Sequence, residues 1–152
     1  MSEKISYLIK FPTMLSVLEP KAKGGWGKMN AQQMVEHMSY SFRLGSGRHP
    51  EKSAHSPEIT QKSYSFMMTE KPFRENTPNQ LLPDEPPVVK HANMANALAE
   101  LQSEVDHFFK VYSENPGLRV INPFFGNLNF EEQVQLLHKH SAHHARQFGL
   151  LA

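Results

Sequence analysis

Nine histidines stand in a chain of 152 residues, and four of them fall between positions 138 and 144. Cysteine is absent, which removes disulfides, thiolate metal ligands and thiol nucleophiles from consideration. What remains for metal chemistry is imidazole, whose neutral form ligates zinc, copper, nickel or iron. His140 and His144 are four apart, the spacing that stacks two side chains on one helix face and lets both reach one ion. Gln147 lies three further on, on the same edge, as a hydrogen-bond partner of a ligand or as a weak extra ligand. No Ser-His-Asp order, glycine-rich phosphate loop or paired-carboxylate motif accompanies them.

A helical wheel sorts the four histidines. The apolar line of the last segment is Phe130, Val134, Leu137 and Phe148, with Ser141 on it. His144 falls about 30° and His140 about 70° from the centre of that stripe. His138 lies about 90° away and His143 about 130° away, towards solvent. The pair at 140 and 144 therefore faces the core. A third ligand is needed, and His37 is the best candidate because it sits in an otherwise apolar helical stretch with Met34 and Met38. The same pattern also fits ordinary structural histidines, and spacing alone does not choose. His49, His55, His91 and His107 read as solvated residues in loops or on a polar face. Glu36 points about 100° around the helix from its neighbour His37, which makes it a poor general base.

The elements that must carry these residues read as helices. A short N-terminal helix is predicted from about Pro12 to Leu18, with the proline in its first turn, before Pro20 and Gly24-Gly25 break the chain. Asn30 with Gln33 three residues later forms a capping box for a helix over Ala31 to Leu44, ended by Gly45 and Gly47. Ser56-Pro57 starts a third helix that runs to about Met68. Lys71 to Lys90 carries Pro72, Pro78, Pro83, Pro86 and Pro87, a density that forbids a regular helix. That stretch is either a semi-rigid crossover or a lid over a site. A fourth helix from about Ala92 to Ser113 places Met94, Leu98, Leu101, Val105, Phe108 and Phe109 at helical spacing. A loop with Pro123 and Gly126 follows. Asn129 and Glu132 form a second capping box for the last helix, which reaches about Gln147. The expected fold is all-α: a four-helix bundle with one long crossover plus the short N-terminal helix, a single domain over residues 1–152.

Composition bounds the function. Lys and Arg number 16 against 15 for Asp and Glu, a formal net charge of +1, without the basic excess of a nucleic-acid or anionic-membrane binder. No apolar run approaches the roughly 18 residues of a membrane span, and no secretory leader is visible, so a cytoplasmic location is expected. Apolar helical surface exceeds what a small bundle needs for its own core, which predicts a homodimer through helix faces. Trp26, the only tryptophan, either closes one end of the bundle or lines the metal pocket. Met34, Met38, Met67, Met68 and Met94 read as adaptable core fillers.

The two ends of the chain carry a resemblance. The stretch Trp26-Gly27-Lys28-Met29-Asn30-Ala31-Gln32-Gln33-Met34-Val35-Glu36-His37 resembles the opening motif of the DinB-like (YfiT-like) superfamily: a tryptophan, a polar helix cap, then a histidine about seven residues into the helix. Phe125-Gly126-Asn127-Leu128 and then His140-Ser141-Ala142-His143-His144-Ala145-Arg146-Gln147-Phe148 resemble its closing motif, two histidines four apart with a glutamine after them. Residues 45 to 120 add little. Close relatives often carry a histidine before the loop proline, where this chain has Asn122-Pro123. The resemblance implies that His37, His140 and His144 bind one divalent metal, zinc or nickel first, with Gln147 and Trp26 around it, in a bundle that is commonly dimeric. It also implies a metal-dependent enzyme, a transferase using a low-molecular-weight thiol on a small-molecule ligand. The alternative is a non-catalytic metal or small-ligand binding protein.

Overall fold

Two asparagines set the starts of the helices that bear the histidines. The computed structural model, which describes residues 1–75 and 85–151, places α1 at Ser2–Leu15, α2 at Ala31–Ser46, α3 at Pro57–Met67, α4 at Met94–Glu114 and α5 at Phe130–Gln147. Two short strands, β1 at Val120–Asn122 and β2 at Gly126–Leu128, lie between α4 and α5. The fold is mainly α-helical. The Asn30 side chain accepts from the Gln33 N–H while Gln33 accepts from the Asn30 N–H. Asn129 and Glu132 repeat that exchange at the start of α5. Each box satisfies two of the N–H groups that a helix start leaves without partners. Ser56 and Asn93 cap α3 and α4 with their side chains.

The elements differ from the sequence reading in three places. The N-terminal helix begins at Ser2, ten residues before the predicted start, and Pro12 lies inside it. Leu8, Phe11, Pro12 and Leu15 form one buried stripe, and that apolar period carries the helix through a residue whose missing N–H costs one hydrogen bond. Helix α2 runs through Gly45 and stops only at Gly47, whose φ of 82° needs a glycine. Gly45 is instead a packing residue. A Cβ there would lie 3.3 Å from Phe108 and 3.3 Å from Gln133, and the Tyr112 hydroxyl donates to its carbonyl at 2.7 Å. The loop read around Pro123 is an antiparallel hairpin pairing Val120 with Leu128, a small addition to a mainly α-helical chain. Asn122 turns it, its side-chain oxygen accepting from the N–H groups of Phe124 and Phe125. Three-residue strands are too short to register as alternation.

Helix α2 packs most extensively on α4, and α1 on α5, with α1–α4 and α2–α5 contacts closing the arrangement. The core between them contains Leu8, Phe11, Leu15, Met34, Val35, Met38, Phe42, Leu101, Val105, Phe108, Val134 and Leu137. Met34, Met38, Met67 and Met94 are buried fillers, as expected of them, but Met68, at the end of α3, is 44% exposed and fills no core. Arg43 of α2 meets Glu100 and Glu104 of α4 at 2.9 and 3.4 Å, which pins the register of the two helices. Of the proline-rich connection, residues 76–84, with Pro78 and Pro83, lie outside the described residues. No helix among the described residues is long and apolar enough to cross a membrane.

Candidate metal centre

His37 sits in the second turn of α2, and His140 and His144 occupy the last two turns of α5. The contact between those helices brings the three rings together. His37 Nε2 lies 3.0 Å from His140 Nε2, and His140 Nε2 lies 3.0 Å from His144 Nε2. All three ligand atoms fall within 4.8 Å of one another. His144 is buried; His37 and His140 are partly buried. Burial holds the His37 pKa down to about 4, with the charge of His143 adding to the effect. Burial pushes His140 and His144 well below the usual value too, and each is further lowered by the neighbouring imidazoles. All three are therefore neutral near pH 7, the state in which imidazole ligates.

Gln147 decides the tautomer of His144. Its side-chain nitrogen donates to the Trp26 carbonyl at 2.9 Å, which leaves its oxygen as acceptor for His144 Nδ1–H at 2.7 Å. With the proton on Nδ1, His144 Nε2 presents a bare lone pair. His140 Nε2 faces both His37 and His144, and one proton on it serves only one of them. The cluster is thus short of a donor, and a cation between the rings satisfies all three nitrogens. Ligand nitrogens on one ion at about 2.1 Å stand roughly 3 Å apart or slightly more, close to the two observed separations. An all-imidazole donor set suits zinc, nickel, copper or iron. The donor set therefore fits a divalent metal.

The same geometry corrects one reading of Gln147. Its oxygen is turned to His144 Nδ1, the side of the ring away from Nε2, which places it as a hydrogen-bond partner of a candidate ligand. The loop before α2 grips it. The Gly25 N–H donates to the Gln147 carbonyl at 2.6 Å, and a Cβ at Gly24 would stand 2.8 Å from the Gln147 side chain. Replacing Gln147 with Leu removes the acceptor that holds His144 in tautomer and orientation. Metal affinity is expected to fall about 10–100-fold, measured by competition against a chromogenic chelator; an unchanged constant would show that His144 is held by packing alone.

His143 is the second correction. It lies outside the three-histidine group, but it is partly buried instead of turned fully to solvent. Its ring meets Trp26 edge-on at 5.5 Å, Phe73 at 6.3 Å and His144 at 5.1 Å. Periodicity places a residue on a helix face and is blind to the loops that later cover that face. The Trp26 carbonyl ties the loop to Gln147, and its ring meets His143 and none of the three clustered imidazoles. His138 packs edge-on against Tyr7 at 5.0 Å, away from the three rings. Glu36 accepts from the N–H groups of Lys90 and His91 at 2.6 and 3.3 Å. It anchors the far end of the proline-rich connection to the helix of His37. His91 is not an ordinary solvated residue, since its ring meets Glu100 at 2.9 Å.

Phe73 borders the centre, and Gln135 and Lys139 hold the segment that carries it; none of the three was legible as such. Phe73 lies edge-on to His140 at 6.4 Å. Gln135 and Lys139 are buried despite their polarity, and the only hint of them was their spacing of four from each other and from His143. Compared with known proteins, the chain matches no family model, no curated protein and no solved structure.

Proposed function

We propose that this protein is a metal-dependent enzyme of the DinB-like kind, a four-helix bundle in which His37, His140 and His144 hold one divalent ion, zinc or nickel first. The observation that carries the reading is the convergence of three neutral imidazole nitrogens, with the Gln147 oxygen turned to His144 Nδ1 and away from them. A divalent metal held there supplies a Lewis-acidic position of net charge +2 that favours an anionic donor such as a small thiolate. The protein's own groups do the rest. Gln147 orients His144, while Trp26 and Phe73 narrow the approach and lower the local dielectric, which strengthens the attraction for an anion. The reaction class that suits such a site is transfer of a low-molecular-weight thiol to a small electrophile. A homodimer and a cytoplasmic location belong to the same reading.

Cobalt(II)-loaded protein titrated with cysteine should develop a sulfur-to-cobalt charge-transfer band in the near ultraviolet, absent from the His140→Ala variant. One cobalt per chain with no band for cysteine or for 2-mercaptoethanol would leave the non-catalytic metal-binding reading as the better one.

A further inference from the structure

One stripe of α5 fastens the start of the proline-rich connection. Gln135, Lys139 and His143 are four apart, so they stack on a single face. Gln135 Nε2 donates to the carbonyls of Met67 and Thr69 at 3.0 and 3.1 Å. Lys139 Nζ donates to the carbonyls of Phe66 at 3.4 Å and Thr69 at 2.7 Å, and also to that of Lys71. The His143 ring meets that of Phe73 edge-on at 6.3 Å. The Lys139 ammonium is the unusual member. A lysine on a helix usually keeps its charged end in water, yet this residue is only 6% exposed. Three carbonyls and the rings of Phe66 and Phe73, at 4.8 and 5.7 Å, replace the lost hydration.

The consequence falls on Phe73. With the segment fastened, its ring is pressed between Phe66 at 6.0 Å, Phe125 at 6.1 Å and the imidazoles of His140 and His143. Ring centroids at about 4.5–7 Å are in contact, so no third ring fits between Phe73 and His140. We propose that Phe73, seated by Lys139, sets the size of the exogenous ligand that the three-histidine centre accepts, with Lys139 as a positioning residue. This rests on the metal reading above. A small donor reaches the ion past Phe73, whereas a bulky one has to lift Phe73 and strain the hydrogen bonds that hold residues 66–71.

Cobalt(II)-loaded full-length protein, titrated in the visible region with azide and separately with 4-phenylimidazole, tests this. Phe73→Ala should tighten 4-phenylimidazole about tenfold and leave azide nearly unchanged. Lys139→Gln should do the same with the ring intact, and the double variant should gain little more, because the two act through one contact. Lys139→Arg keeps donors for the carbonyls and should retain wild-type discrimination, which a general loss of stability would not. Wild-type discrimination in Phe73→Ala or in a cobalt-loaded Lys139→Gln would overturn the proposal alone. Wild-type protein that takes up no cobalt would overturn the metal reading and this proposal with it.

Discussion

Alanine at any one of positions 37, 140 and 144 should strip the protein of metal, whereas alanine at 138 or 143 should leave about one ion per chain. The contrast follows from direction, not from distance along the helix. The Nε2 atoms of the first three converge with two separations of 3.0 Å, while His138 turns to Tyr7 and His143 to Trp26 and Phe73. Loss of a hydrogen-bond partner behind a ligand costs roughly 10–100-fold in affinity, and loss of a ligand itself should cost more. Fold should survive. Removing one of three crowded neutral imidazoles relieves the shortage of donors among them, and the apolar core of Phe11, Phe42 and Phe108 is untouched. Metal analysis of untagged protein, with circular dichroism as the check on folding, decides the matter. A metal-free His143→Ala beside a metal-loaded His144→Ala would mean that the helical phase is wrong.

Acid should release the metal and then unsettle the metal-free protein, both within a defined window. His37 has its pKa lowered from 6.5 to about 4 by burial, and burial lowers His140 and His144 in the same direction. Between pH 6.5 and about 4 the unfolded chain binds these protons and the folded chain does not. Stability of the metal-free form is therefore full above pH 6.5 and falls as pH drops through that range. Bound metal displaces the same protons, so its affinity falls over an overlapping range. Denaturant melts of metal-free protein at pH 7.5, 6, 5 and 4 should show the midpoint falling from the second step onward. The triple variant with Ala at 37, 140 and 144 should have a flatter profile. A midpoint that is level from pH 7.5 to 4.5 in the wild type would contradict burial of neutral imidazoles.

Much of this molecule was legible from residue order because much of it is decided locally. Asn30 with Gln33, and Asn129 with Glu132, announce helix starts through short side chains that reach N–H groups three residues away. Leu101, Val105 and Phe108 recur at helical spacing and are buried where that spacing puts them. His140 and His144 share a face for the same reason. The choice of His37 was inference from an apolar neighbourhood, and the three-residue strands escaped because they hold no period.

What the chain determined by itself was therefore the placing of helices and the face that each histidine takes. Capping and periodicity act within a few residues, and a linear reading captures them. Only tertiary structure decided that α2 and α5 meet so that three nitrogens converge, and that Gln147 turns its oxygen to His144 Nδ1 instead of to a metal. It also decided that Lys139 and His143, polar and on the outer face of α5, end beneath the segment that carries Thr69 and Phe73. Those outcomes depend on segments more than sixty positions apart being brought into contact. The hydrogen bonds that settle them are made to backbone carbonyls, which every residue type carries and which no side-chain pattern reveals.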